Sequence, residues 1–134
     1  MSQFAGKTAV ISGGAEGIGL SIAQALGDQK MNIVIADIDE TNLQKARLKL
    51  EDAGISVLTV ELDVAQEDQW QEVANQAIAR FKKIHMVVNN AGVGGDIGPI
   101  ESQDQKGWQW ALDVNLMGVV FGAKVMTALI KQHG

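Results

Sequence analysis

The chain has 134 residues and a formal net charge of −5, which favours one folded domain and disfavours nucleic acid or an anionic membrane as partners. Apolar residues make up 46% of it and charged residues 20%, a globular balance. It contains no cysteine, which excludes disulfides, thiolate catalysis and cysteine-ligated metal, and we predict no metal site. The N-terminus has no signal-peptide core, and the uncharged apolar stretch 116–123 is short for a bilayer. We expect a soluble, cytoplasmic protein.

The predicted elements alternate between strand and helix. The apolar run 8–11 predicts a buried strand, followed by a glycine-rich turn at 12–19 and a helix with an apolar face. That face is formed by Ile18, Ile22, Ala25 and Leu26. The remaining predictions are strands at 32–36, 56–62 and 85–89, helices at 39–53, 66–81 and 105–132, and a loop at 92–99. Such alternation predicts βαβ units, a parallel sheet and right-handed crossovers.

The last predicted helix is unusually apolar. Between Ala111 and Ile130 its charged residues are Asp113 and Lys124. A helix that is apolar around most of its circumference is covered on most sides. We therefore expect a partner for it outside this sequence, and self-association of the chain through this helix.

The turn at 12–19 has the composition of a phosphate site. Glycines let the backbone approach an anion closely, and the N–H groups at the start of the helix attract negative charge. Gly13, Gly17 and Gly19 have the spacing G-x-x-x-G-x-G, which differs from the general dinucleotide fingerprint G-x-G-x-x-G. Because Lys-Ser or Lys-Thr does not follow, the turn is not a P-loop. The alternative is a turn that merely joins strand to helix.

Asp37 ends the second predicted strand, 18 residues after Gly19. A carboxylate there can accept both hydroxyls of an adenosine ribose and would repel a 2′-phosphate. Glu16, inside the glycine turn, adds a second negative charge, so the sequence favours NAD over NADP. The alternative is that Asp37 caps the following helix, alone or with Asp39.

Polar residues also follow the third and fourth predicted strands. Asp63 could accept a hydrogen bond from an adenine amino group, or cap the helix that begins near Gln66, and the two roles are compatible. Of the adjacent Asn89 and Asn90, we expect one to tie strands together and the other to face a cofactor. The alternative is an ordinary asparagine-containing turn.

With these motifs in place, the chain resembles the N-terminal half of a short-chain dehydrogenase/reductase over essentially its whole length. Ser12 replaces the usual threonine and keeps the hydroxyl. The matching motifs are 12–19 for the T-G-x-x-x-G-x-G turn, Asp37 for the cofactor-selecting acid, Asp63-Val64 for the Asp-Val pair, 89–92 for N-N-A-G, and 114–118 for V-N-x-x-G.

The resemblance implies an NAD-dependent enzyme that interconverts alcohols and carbonyls. Its implied fold is a Rossmann-type α/β sheet of strand order 3-2-1-4 with helices on both faces, ending before the usual fifth strand. Residues 1–134 would form an NAD(P)-binding Rossmann-type domain, the N-terminal part of the family's single domain. Asn115 is the implied catalytic residue and would hold a water in a proton relay. The implied cofactor residues are Ser12, Gly13, Gly17, Ile18 and Gly19 for the phosphates, Asp37 and Ile38 for the adenine ribose, Asp63 and Val64 for adenine, and Asn90, Ala91 and Gly92 for the nicotinamide ribose.

The family's catalytic Tyr-x-x-x-Lys and upstream serine lie beyond the helix that contains Asn115, and this sequence has no tyrosine. Without that general acid/base we expect the 134-residue chain alone to be inactive. The alternative is an inactive nucleotide-binding half domain or a truncated gene product. We assign no catalytic role to His85 (a satisfied surface histidine), to His133 (solvated), or to Asp96 in the glycine loop. Trp70, Trp108 and Trp110 are expected to serve packing.

Overall fold

The computed structural model describes residues 3–95 and 97–133. Strands and helices alternate along the first ninety residues, as the sequence predicted. The strands are β1 (Thr8–Ser12), β2 (Asn32–Asp37), β3 (Val57–Glu61) and β4 (Met86–Asn89). The helices are α1 (Gly17–Asp28), α2 (Glu40–Asp52), α3 (Glu67–Phe81), α4 (Gln105–Leu112) and α5 (Gly118–His133), with a 3-10 turn at Ile100–Ser102 and a π-helical turn at Asp113–Met117.

The strands form a parallel sheet of order β3-β2-β1-β4, which confirms the predicted topology. Ser12, the last residue of β1, lies opposite Ala36 of β2 and Asn89 of β4. The strands therefore end level with one another. This carboxyl edge of the sheet collects the polar residues that follow each strand.

Helices cover both faces of the sheet, as predicted. Alternate residues of β1 point to opposite sides, so Ile11 packs in the cluster with α1 and α2, and Val10 packs in the cluster with α3 and α5. The centre of the second cluster is Trp70, which is fully buried, as the sequence predicted for this residue.

The buried face of α1 matches the predicted one only in part, since Ile22 and Leu26 pack against the core as predicted. Gly19, Ala23 and Gly27 are buried, whereas Ile18 is 75% exposed and Ala25 is exposed. A Cβ on Gly27 would lie 2.5 Å from Ile55 Cδ1. Small residues at every fourth position let α1 approach its neighbours closely, and the predicted face of larger apolar side chains does not include them.

The predicted helix 105–132 is interrupted. Asp104 caps α4 by accepting a hydrogen bond from the Gly107 N–H, and α4 and α5 are joined by the π-helical turn. The buried face of α5 contains Gly118, Gly122 and Met126. On its outer side the helical segment exposes apolar side chains, among them Leu112, Leu116, Val119 and Val120.

The stretch Gln105–His133 is long and apolar enough, by length and composition, to cross a membrane. Its best 18-residue window has a mean hydropathy of 1.5 and is 22% buried. One such helix is weak evidence, because core helices of soluble proteins meet the same criterion. The prediction from 116–123 underestimated this length, because it stopped at the isolated charge of Lys124.

Candidate functional site

A cavity of about 470 Å³ opens at the carboxyl edge of the sheet. Its volume lies within the range of small-molecule sites. Eight of the twelve predicted cofactor residues line it: Gly13, Asp37, Ile38, Asp63, Val64, Asn90, Ala91 and Gly92. Glu16 also lines it, and Ser12, Gly17, Ile18 and Gly19 belong to the turn beside it.

The glycine turn needs glycine for two different reasons. Gly13 and Gly17 have φ values of +64° and +58°, a region that residues with side chains rarely adopt. At Gly19 a Cβ would overlap the carbonyl oxygen of Gly13. The Gly13 N–H donates to the Ala36 carbonyl of β2 at 2.8 Å, which fixes the turn on the sheet. The first-turn N–H groups of α1, which have no acceptors within the helix, are thereby held beside the cavity.

Ser12, at the start of the turn, connects it to the residues that follow β4. It is 1% exposed, and its Oγ accepts hydrogen bonds from the N–H groups of Asn90 and Ala91, each at 3.1 Å. The same hydroxyl lies 3.5 Å from the Val88 carbonyl oxygen, to which it donates. The hydroxyl that this chain shares with the family's threonine therefore joins the ends of β1 and β4.

One of the two adjacent asparagines takes both of the roles that the sequence divided between them. Asn90 Nδ2 donates to the Gly13 carbonyl at 3.1 Å, so this side chain ties β4 to the glycine turn while lining the cavity. Asn89 points to the opposite side, and its Oδ1 lies close to where a Cβ on Gly122 of α5 would stand. The cavity-facing asparagine is thus also the one that ties the strands.

Asp37 joins β2 to the glycine turn. Its Oδ2 accepts from the Ala15 N–H at 3.2 Å, and its Oδ1 accepts from the Asp39 N–H at 3.1 Å. Asp39 is the N-cap of α2, because its Oδ1 accepts from the Asn42 N–H at 3.0 Å. Asp37 therefore supports the turn that leads into α2, while the helix cap itself is Asp39.

The surroundings of Asp37 are more acidic than the sequence motifs indicated. Glu61 lies opposite Asp37 in the β2–β3 register. A hydrogen bond with Glu40, and the charge of Glu40, raise the pKa of Glu61. Neither Glu40 nor Glu61 was predicted as a site residue, and the β2–β3 register is the signal that could have found Glu61.

Asp63 is held in a turn before α3. Its Oδ1 accepts from the Ala65 N–H at 3.0 Å, and its own N–H donates to Gln69 Oε1 at 2.7 Å. The N-cap of α3 is Gln66, so the predicted capping role of Asp63 is wrong. Asp63 stabilises the loop three residues earlier. The next residue, Val64, accepts a hydrogen bond at its carbonyl from Trp70 Nε1 at 3.1 Å.

Asn115 lies in the π-helical turn and binds the loop that follows β4. Its Oδ1 accepts from the Val93 N–H, and its Nδ2 donates to the Val93 carbonyl, each at 2.8 Å. Val93 lines the cavity beside Gly92. The geometry gives Asn115 a positioning contact, and each polar atom of its amide has a second hydrogen-bonding position.

The other polar candidates lie elsewhere. At the amino ends of the strands, His85 Nδ1 accepts from the Thr8 N–H at 3.0 Å, which agrees with the prediction of a satisfied histidine. His133 Nδ1 accepts from the Ile84 N–H at 2.8 Å, so the prediction of a solvated His133 is wrong. The error arose because α5 carries its C-terminus back to β4. Asp96 lies outside the described residues.

Two of the tryptophans predicted to serve packing are only half-buried. Trp108 and Trp110 are 52% and 49% exposed, and Trp110 lines the cavity at the carboxyl edge. Within residues 3–95 and 97–133, no group of three or more His, Cys, Asp or Glu side chains could hold a metal ion.

The sheet order and the glycine turn between β1 and α1 define a Rossmann-type α/β protein. The family model described as short chain dehydrogenase matches residues 7–134. The chain therefore belongs to the short-chain dehydrogenase/reductase family, of which it represents the N-terminal, cofactor-binding part.

Similar proteins agree with this assignment. The chain is 36% identical over 135 residues to a CLA biosynthesis dehydrogenase/reductase of Lactiplantibacillus plantarum, covering 98% of this chain and 46% of that protein. It is 37% identical over 132 residues to a 3-alpha-(or 20-beta)-hydroxysteroid dehydrogenase of Mycobacterium tuberculosis, covering 98% and 49%. Among solved structures, a short chain dehydrogenase/reductase from Burkholderia phymatum in complex with NAD has a TM-score of 0.92 and 37% identity, covering 97% of this chain and 46% of that one. The chain spans about half the length of these relatives.

Proposed function

We propose that this chain is the NAD-binding part of an oxidoreductase that interconverts an alcohol and a carbonyl by hydride transfer. The observation that carries the proposal is the cavity between the glycine turn and Asp37. The bound NAD of the similar Burkholderia phymatum structure supports it. Residues 1–134 would form one Rossmann-type unit of a single catalytic domain.

The glycine turn fits a pyrophosphate. Gly19 packs closely on the backbone of Gly13. Because neither residue has a side chain, an anion could reach the N-terminus of α1 unobstructed. The phosphate-binding residues would be Gly13, Gly17, Ile18 and Gly19, with Ser12 as their brace. A helix N-terminus with its N–H groups free of intrahelical acceptors suits an anion.

Asp37 and Ile38 would hold the adenine ribose. Each carboxylate oxygen of Asp37 accepts one protein N–H and retains a further lone pair for a hydroxyl. Glu16 lines the same cavity, and its charge together with that of Asp37 would repel a 2′-phosphate. We therefore propose NAD as the cofactor in preference to NADP.

The remaining wall would hold the two ends of the cofactor. Asp63 and Val64 would contact adenine, and Asn90, Ala91 and Gly92 the nicotinamide ribose. NAD, when bound, supplies the hydride acceptor. Asn115 would use its second hydrogen-bonding positions to hold a water for proton transfer, while its bond to Val93 keeps the loop over the cavity.

Catalysis needs more than these residues provide. The sequence holds no tyrosine, so we propose that this chain by itself binds NAD without turnover. The same feature favours the second candidate, a nucleotide-binding half domain without catalysis. Steady NADH formation by the purified chain with alcohols would contradict the proposed inactivity.

The exposed apolar side of α4 and α5 suggests how copies would meet. Leu112, Leu116 and Val120 are each 43% to 55% exposed. We propose that the chain self-associates through this segment. We also propose that the protein acts in the cytoplasm and binds neither nucleic acid nor membranes. A monomer by light scattering, with no binding of an apolar dye, would contradict the self-association.

Titration calorimetry with NAD and NADP tests the proposed cofactor. We expect NADP to bind at least about tenfold more weakly than NAD, and Asp37→Asn to weaken NAD by about tenfold, because a hydrogen bond to a charged group is worth about 1.5–3 kcal/mol. Asp52→Asn removes the same charge from the far end of α2 and should leave both affinities unchanged. Failure of the native chain to bind either nucleotide would overturn the proposed function.

A further inference from the structure

Trp110 lines the cavity at the carboxyl edge of the sheet, although no sequence motif identified it as a site residue. It is half-exposed and lines the cavity together with Asp113 and Val114. Trp108, two residues earlier, lines a different cavity of about 270 Å³ beneath the glycine loop. The two indoles therefore face different spaces, as residues two apart on a helix do.

Packing of the helical segment fixes where Trp110 lies. A Cβ on Gly118 would lie 2.7 Å from Val64 Cγ2, so α5 begins in direct contact with the loop that follows β3. Val114 and Trp110 precede Gly118 at four-residue intervals and share one side of the helical segment. Trp110 thus extends the surface that starts at Val64, on the side of the cavity that contains Asp63.

A second large apolar side chain lines the same cavity. Ile38, directly after Asp37, is 72% exposed and lines the cavity. Asp63 and Asp113, two residues with hydrogen-bond acceptors, line this cavity as well. A flat, uncharged ring with an exocyclic amino group matches such surroundings, since its faces meet apolar groups and its edge meets acceptors.

We propose that Trp110 is a stacking surface for the adenine base of a nucleotide in this cavity. The inference rests on the proposed function. Stacking on an aromatic side chain stabilises a bound base and covers apolar ring surface that water otherwise meets. This proposal gives Trp110 a role in ligand binding, whereas the sequence predicted a role in packing.

Tryptophan emission tests the proposal, using the Trp108→Phe variant so that Trp110 is the exposed indole and Trp70 the buried one. AMP should quench the emission in a saturable way, and nicotinamide mononucleotide should not. By calorimetry, Trp110→Ala should weaken AMP by about tenfold, within the range measured for base–aromatic stacking. Trp110→Phe should retain most of the affinity, and Trp108→Ala should leave it unchanged.

The outcomes separate this inference from the proposed function. If NAD and AMP bind equally well to the native chain and to Trp110→Ala, without quenching, the role of Trp110 is disproved and the NAD site stands. Quenching by nicotinamide mononucleotide in place of AMP would also overturn it. If the native chain binds no nucleotide, both proposals fail. Circular dichroism of Trp110→Ala establishes that the variant is folded.

Discussion

The two edges of the sheet differ in charge, since one is lined by acidic side chains and the other by a lysine. At the carboxyl edge, Glu16, Asp37 and Asp63 line the cavity of about 470 Å³. At the amino edge, a cavity of about 310 Å³ is lined by Lys7 and His85. Attraction between charged side chains and an anionic dinucleotide would favour binding at the amino edge. In doubly wound sheets, however, ligands bind at the carboxyl ends of the strands. If the proposed site is right, backbone N–H groups at a helix start outweigh nearby side-chain charges in choosing a phosphate site.

The two edges also use different groups to satisfy buried backbone. Carboxylate, hydroxyl and amide groups join the turns at the carboxyl edge, as in the bond from Asn90 to Gly13. Imidazoles do so at the amino edge, where His85 and His133 accept from the N–H groups of Thr8 and Ile84. Variants at the first edge should change ligand binding, and variants at the second should change stability alone.

The largest effect is expected for Gly19→Ala. The new Cβ would overlap the Gly13 carbonyl, which is backbone and cannot rotate away. We expect the free energy of unfolding in urea to fall by about 2–4 kcal/mol, and NAD binding by calorimetry to be lost. Gly94→Ala places its Cβ in open space in a nearby loop and should leave both unchanged. Retained binding in Gly19→Ala would show that the turn does not shape the site.

A smaller effect is expected at the amino edge, where the stability should depend on pH. Burial, and then the charges of Lys7, His133 and Lys83, lower the pKa of His85. The unfolded chain then binds more protons near pH 6, so stability rises with pH. The contribution of His85 is complete above its unfolded pKa of about 6.5 and is lost as pH falls through its lower folded pKa.

The His85→Asn variant tests this dependence. Its amide oxygen can accept the Thr8 N–H and does not titrate, so the melting temperature should change less between pH 7.5 and 5.5 than in the native chain. One such bond is worth about 1 kcal/mol, which keeps the effect below that of Gly19→Ala. NAD affinity at pH 7.5 should be unchanged. An equally steep pH profile in His85→Asn would exclude His85 as the titrating group.

The smallest effect is a gain in stability. Lys82, which ends α3 near the amino edge, has a φ of +75°, in the left-handed region that costs a side chain about 1 kcal/mol. Lys82→Gly should therefore raise the free energy of unfolding by up to about 1 kcal/mol without changing NAD affinity. Lys83→Gly, one residue later, should give no such gain. Weaker NAD binding in Lys82→Gly would mean that the two edges are coupled.

Local patterns predicted much of this molecule. Periodicity placed β1 to β4 within one or two residues, and the family motifs gave the order of the strands. Asp37, Asp63 and Asn90 were singled out because each ends or directly follows a predicted strand, and parallel strands end at a shared edge. Side chains that act where a strand ends can thus be read from sequence.

Contacts between distant segments could not be predicted. The bond from Ala15 to Asp37 spans 22 residues, and the one from Ile84 to His133 spans 49. Trp110 gave no local signal, because its side chain lines the cavity only through the packing of Gly118 on Val64. Such positions depend on how closely helix and sheet approach, which the small residues of the interface decide.

One buried hydrogen bond links the interior of the protein to its outer surface. Trp70, at the centre of one core cluster, donates its indole N–H to the carbonyl of Val64 in the cavity wall. The cavity wall at Val64 is therefore part of the same packed cluster as Trp70, and the two cannot be altered independently. For protein engineering, this means that the loop after β3 can be exchanged between relatives only together with the indole beneath it, as a matched pair.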